Sequence, residues 1–193
     1  PGETRQLITQ LGQAEGLEAA RPTIEHYRNP AAVAAALDDL HGFWDSYLST
    51  TCVETPDAAL NVMLNVHNPR QVYTTFTWSR YLSLYQLGFG ARGIGFRDSS
   101  QDILGVVANA PQESRALLER LLCVQQRDGS AMHQFNPLTM VANAGDSREV
   151  EDGSRYYGDD HLWIVLAVTA YLKETGDLAF LDTMIPYYDK DKH

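Results

Sequence analysis

Two arginines and two aspartates, Arg92, Arg97, Asp98 and Asp102, fall within eleven residues of one another in the stretch GFGARGIGFRDSSQD, Gly88 to Asp102. Each guanidinium offers a planar fork of donors suited to a phosphate, a carboxylate or neighbouring hydroxyls. Each carboxylate accepts hydrogen bonds, or transfers a proton if its surroundings shift it. Four glycines in the same stretch let a ligand approach the main chain. None of this fills a core. The chemistry that fits is recognition of a polyol or a phosphate by arginine forks and a carboxylate. The bland alternative is a surface loop carrying an Arg–Asp pair of small energetic worth.

Two further groups carry polar chemistry. Met132-His133-Gln134-Phe135-Asn136-Pro137 joins an aromatic face to amides, as a sugar platform would, and it also suits a turn packed by Phe135 and ended by Pro137. His133 is not expected to bind metal, because no second histidine or cysteine stands at ligand spacing. Asp159, Asp160, His161 and Trp163 open an apolar helix. One aspartate reads as its N-cap and dipole partner, with Trp163 in the core; the other is open to line a pocket.

The elements that must position these groups are helical. TRQLITQLG, near the start, alternates as a single β-strand would, and no second convincing strand follows. Asn29 then caps a helix that starts at Pro30, with Val33, Leu37, Leu40, Trp44 and Leu48 on one face. A second helix begins at Thr55-Pro56-Asp57 and is expected to stop at Asn68-Pro69. A third spans Val72–Leu87 and stops at Gly88. Asp102 begins the segment DILGVVANA, and Pro111 opens a helix buried through Leu117, Leu118, Leu121, Leu122 and Val124. Residues 128–158 read as a long, irregular loop of mixed character, functional or disordered: its first half carries aromatics with His133, Gln134 and Asn136, and its second half, AGDSREVEDGS, is charged and open to being mobile. HLWIVLAVTAYLKETG follows, stopped by Gly176, and then the short DLAFLDTMI. Trp44, Trp78 and the helical tyrosines read as core. The rhythm predicts an all-α layered or toroidal domain.

Composition narrows the partners. With a net charge of −10 over 193 residues, nucleic acid and anionic membranes are disfavoured. Cys52 and Cys123 have neither metal nor disulfide-framework spacing, so a reducing cytoplasm is expected, and Cys123 reads as a buried, inert thiol. No P-loop, GxSxG or zinc signature occurs, so no cofactor and no metal is expected. The start at Pro1 suggests truncation or processing.

RGIGFRDSSQDILG, then DGSAMHQFNPLT, then YYGDDHLWIVLAVTAYLKETGD resembles the cellobiose and cellodextrin phosphorylases, glycoside hydrolase family 94. The likeness runs from about Tyr27 to Tyr188. It implies that residues 1–25 are the end of a β-sandwich domain and linker, and that 26–193 are the first part of an (α/α)6 barrel. It implies inverting phosphorolysis of β-glucosides such as cellobiose or cellodextrins to α-glucose 1-phosphate, with inorganic phosphate as co-substrate in place of an activated water. Carried over by motif, Arg92 and Asp98 bind glucose and Arg97 faces phosphate. Asp102 supports the loop by capping the next helix, and His133, Gln134, Asp159 and Asp160 are possible site-lining residues.

The resemblance also implies a homodimer and a general acid in a tryptophan-aspartate motif downstream of His193. No catalytic residue is therefore assigned in this chain, and these residues alone are expected to be inactive. Two alternatives stand beside this: a non-catalytic carbohydrate-binding helical module, and a β-1,2- or β-1,3-oligoglucan phosphorylase.

Overall fold

A computed structural model describes residues 2–80, 93–143 and 157–188, and most of them are helical. The chain divides into two compact units, Pro1–Tyr47 and Leu48–His193.

In the first unit, residues 2–14 form neither helix nor strand. The expected N-terminal strand is not formed here: a strand is stabilised by a hydrogen-bonded neighbour, and the stretch is tied instead by the Gln10 amide donating to the Ile24 carbonyl at 3.0 Å. Helix α1 covers Leu17–His26. Helix α2 starts as expected at Pro30 and runs Pro30–Ser49. Asn29 Oδ1 accepts from Ala31 N–H at 3.0 Å, which satisfies one of the donors that a helix start leaves unpaired. Phe43, Trp44 and Tyr47 cluster near its end with ring centroids 5.2 to 5.9 Å apart.

The second unit opens with a helical rod that the sequence divides in two. Helix α3, Ala58–Val62, is capped by Asp57, whose carboxylate accepts from Ala59 and Leu60 N–H at 2.9 and 3.2 Å. It continues through a π-turn, Met63–His67, into α4, Asn68–Thr74, and a second π-turn, Thr75–Ser79. Asn68-Pro69 does not break the rod. Asn68 N–H reaches five residues back to Met63, and this wider turn opens the ladder where proline has no N–H to give. Trp78, expected in the core, is 64% exposed. The expected helix stop at Gly88 lies outside the described residues.

Helix α5 spans Phe96–Val106, α6 Pro111–Leu122 and α7 Asp160–Thr175. Helix α5 packs on both α6 and α7, around a core that includes Phe96, Ile103, Leu118, Leu121, Phe135 and Ile164. In α6 the predicted face is buried at Leu118 and Leu121, with Val124 just beyond, while Leu117 and Leu122 are half-buried. Gly176 ends α7 in the left-handed conformation, φ 68°, where a glycine costs least. A 3-10 turn, Leu178–Asp182, follows.

Three two-residue strands pair antiparallel in the order β1 (Ile94–Gly95), β2 (Gln134–Phe135), β3 (Ala142–Asn143). Ile94 faces Phe135 and Gly95 faces Gln134; Gln134 in turn faces Asn143. A Cβ on Gly93 would lie 2.2 Å from the Phe135 carbonyl oxygen, so the approach of these two backbones requires glycine. Strands β2 and β3 lie in the first half of the long loop, and β1 in the glycine-rich stretch before α5; the charged half of the loop, AGDSREVEDGS, lies outside the described residues.

Candidate functional site

Helix α5 begins six residues earlier than its apolar pattern suggests. Phe96 and Ser100 are buried, and the Ser100 hydroxyl donates back to the Phe96 carbonyl at 2.8 Å, so the polar run RDSSQD is helical rather than loop. Arg97, Asp98 and Asp102 therefore stand on a rigid helix. Asp102 does not cap that helix; it lies in its interior.

The β1–β2 ladder brings the second polar group alongside. His133, just before β2, accepts at its backbone carbonyl from Phe96 N–H at 2.9 Å. Its ring stacks on Tyr157, centroids 3.5 Å apart and planes within 9°. Gln134 is occupied within the sheet, where its amide donates to Asn143 Oδ1 at 2.8 Å.

Both groups meet the third at the N-terminus of α7. Arg97 Nη1 donates to both oxygens of Asp159 at 3.1 Å, and His133 Nδ1 lies 2.8 Å from Asp160 Oδ2. Asp159 holds the N-cap position without making a side-chain capping bond, because its carboxylate is taken by Arg97 and by the Trp163 indole at 3.3 Å. The Trp163 indole and the Arg97 guanidinium both hold the Asp159 carboxyl below the usual carboxylate range. Arg97 is pushed further up by the same bond.

Asp160 differs. It is 1% exposed, its Oδ1 has no partner among the described residues, and burial raises its carboxyl against the opposing pull of His133. The two neighbouring aspartates are thus driven in opposite directions, one by ion pairing and one by desolvation.

A second cluster lies along α5. Arg80 grips Asp102 through Nε at 2.6 Å and Nη2 at 3.0 Å, and its Nη1 lies 3.6 Å from Asp98 Oδ2. The Asp102 bond pushes the guanidinium still higher. Arg80 was not among the residues that the sequence singled out, although it is the one charged side chain in VYTTFTWSRYLSLYQL. A lone cation in an aromatic helix is the signal that points to it. Tyr157, which supports the His133 ring, had no such signal. Arg92 lies outside the described residues, and among those described no cluster of three metal-ligating side chains occurs. Cys123 is half-buried, and burial raises its thiol. No helix among the described residues is long and apolar enough to cross a membrane.

The fold and site define a helical scaffold that gathers arginine, aspartate and histidine side chains at helix ends. Residues 43–193 match the glycosyl hydrolase 94 superfamily, catalytic domain. The chain belongs to that family and supplies the N-terminal part of its catalytic domain. Among curated proteins it is 31% identical to an N,N'-diacetylchitobiose phosphorylase of Vibrio proteolyticus, covering 98% of this chain and 25% of that protein. It is 30% identical to a solabiose phosphorylase of Paenibacillus borealis, over 98% of this chain and 22% of the relative. It is also 30% identical to a cyclic β-(1,2)-glucan synthase of Rhizobium meliloti (strain 1021), over 96% of this chain and 6% of the relative. The chain thus spans about a quarter or less of the length of these proteins.

Proposed function

We propose that this chain supplies the sugar and part of the phosphate site of an inverting glycoside phosphorylase. The carrying observation is the arrangement on the first turn of α5, where Arg97, held by Asp159, stands next to Asp98 with its carboxylate 46% exposed. In this reading Asp98, with Arg92, accepts from and donates to hydroxyls of the glucosyl unit at the non-reducing end. Arg97 keeps Nε and Nη2 for an oxygen of inorganic phosphate.

The reaction needs no base. A phosphate oxygen attacks the anomeric carbon from the face opposite the departing group, the carbon–oxygen bond breaks, and a general acid protonates the leaving oxygen. Inversion of a β-glucoside then yields α-glucose 1-phosphate. The acid is assigned to the remaining length of the complete enzyme, not to the residues described here. No cofactor enters this scheme. Asp160 and His133 shape the floor of the site, and Gln134, engaged with Asn143, keeps β2 in register.

Two features support the larger architecture of an (α/α)6 barrel. Helix α7 exposes Leu162, Val165 and Leu166, an apolar face that further helices of a toroid would cover. The family match starts at residue 43, beyond the proposed β-sandwich segment and linker at 1–25. A cytoplasmic homodimer is the accompanying proposal.

Cellobiose or a cellodextrin is the substrate first proposed. The named activities of the relatives add N,N'-diacetylchitobiose and solabiose as candidates. The β-(1,2)-glucan synthase likeness favours a second reading, a β-1,2-oligoglucan phosphorylase. The complete protein should be incubated with inorganic phosphate and each saccharide in turn, and the sugar 1-phosphate measured. Phosphate-dependent release from one of them is the expected result. Binding of saccharide without release from any of them would instead indicate a carbohydrate-binding module.

A further inference from the structure

We propose that Asp160 and His133 form a proton-accepting couple that cancels charge when an oxyanion seats beside Arg97. This rests on the reading above, in which Arg97 faces inorganic phosphate. The described residues of the site set two guanidiniums, Arg80 and Arg97, among four carboxylates, Asp98, Asp102, Asp159 and Asp160. Such an excess of negative charge repels phosphate, so the anion seats well only where the excess is reduced. Asp160 is the carboxylate least suited to stay charged. Its side chain is 2% exposed and its Oδ1 has no partner among the described residues, and a buried charge short of hydrogen bonds is costly. Burial accordingly raises its carboxyl, against the pull of His133 and Arg97.

His133 supplies the place for the proton. An ionised carboxylate only accepts hydrogen bonds, so Nδ1, 2.8 Å away, donates to Asp160 Oδ2. The other ring nitrogen, Nε2, then takes up the proton, a change to which imidazole is suited in the neutral range. The ring is held for it. It lies flat against Tyr157, centroids 3.5 Å apart, and the His133 carbonyl is tied to the N–H of Phe96, the residue before Arg97. Arg97 on α5 and Asp159 at the start of α7 are the other charged groups that act on Asp160. Asp159 is already engaged by Arg97 and Trp163. One proton from solvent therefore takes the couple from a single negative charge to none, and the two groups titrate as a unit.

The test is calorimetric titration of the complete enzyme with sulfate, between about pH 6 and 9, in buffers of different ionisation enthalpy. Sulfate stands in for phosphate because it does not itself change protonation in that range. Wild type should take up protons on binding, and its sulfate affinity should fall by up to about tenfold per pH unit as pH rises. The two halves of the couple predict opposite outcomes. Asp160→Asn removes the charge, so sulfate should bind with little proton uptake and keep at high pH the affinity that wild type has only at low pH. His133→Gln keeps the charge and loses the proton acceptor, so sulfate should bind with little uptake and only as weakly as wild type does at high pH. A pair that serves packing alone would weaken binding in both variants alike, and that result overturns the proposal. Wild-type binding without proton uptake overturns it too, and this arm needs no variant to fold. If Arg97→Ala binds sulfate as tightly as wild type, the failure belongs to the reading of the phosphate site on which the proposal stands.

Discussion

The two ends of helix α7 each carry an arginine–aspartate pair that spans 62 residues of sequence, and the two pairs do different things. At the C-terminal end every group is engaged. Arg115 bonds Asp177 and Glu119, lies over the Phe180 ring at 5.2 Å, and reaches Thr183. Asp177 also accepts from the Tyr171 hydroxyl at 2.7 Å. At the N-terminal end capacity is left over. Arg97 spends one nitrogen on Asp159, and the Asp160 Oδ1 is buried with no partner among the described residues. A joint satisfies its polar groups because each unpaired one costs stability; a site keeps some in reserve for a ligand. The likeness of the two pairs shows that an ion pair alone does not mark function. What distinguishes them is the donors and acceptors that remain.

If the contrast is sound, the two ends should respond differently to the same kind of change. Arg97→Ala should lower phosphate-dependent turnover about a hundredfold in the complete enzyme, the scale on which removal of a preorganised donor acts. Arg115→Ala should leave KM for phosphate and saccharide alone and lower the melting temperature instead. A fall in turnover at constant melting temperature for Arg115→Ala would break the comparison. Gly93→Ala, which forces a Cβ onto the Phe135 backbone, should destabilise by about 3 kcal/mol or more in denaturant titration. It would separate β1 from β2 and so disturb only the N-terminal end.

The smallest effect concerns pH. The lowered Asp159 carboxyl contributes stability that is full above the unfolded value near 3.9 and is lost as pH falls through its lower folded value. The raised Asp160 carboxyl acts with the opposite sign, since stability declines as pH rises from about 3.9 through its folded value. In Asp160→Asn that decline should disappear while the acid-side loss from Asp159 persists. Melting temperatures between about pH 3 and 7 would show whether the two aspartates separate in this way.

The helices that read most plainly from sequence are those whose ends carry their own signals. Asn29 and Pro30 start α2, Pro111 starts α6, and Gly176 stops α7, each through a local rule that tertiary contacts did not override. Helix α5 reads shorter from sequence than it is, because FRDSSQ shows no apolar stripe and Gly95, its N-cap, has no side chain to cap with. The β1–β3 sheet could not be seen at all, since two-residue strands carry no alternation. Pro69 misled because a π-turn absorbed it.

In the site, residue types were readable and partners were not. Arg97, Asp98, His133, Asp159 and Asp160 stood out by chemistry. That Arg97 meets Asp159, and His133 meets Asp160, depends on packing across long stretches of chain. Asp102 reads from sequence as a cap but pairs with Arg80 from the helix interior, because the polar run before it is already helical.

The most direct test of the account is phosphate binding measured by titration calorimetry on the complete enzyme without saccharide, so that no turnover occurs, comparing wild type, Arg97→Ala and Arg115→Ala. Phosphate binding that weakens at least tenfold in Arg97→Ala and is unchanged in Arg115→Ala is the predicted result, the scale of one lost charge-assisted contact. Equal phosphate affinity in all three would contradict the assignment of the N-terminal end of α7 as the place where the anion is held.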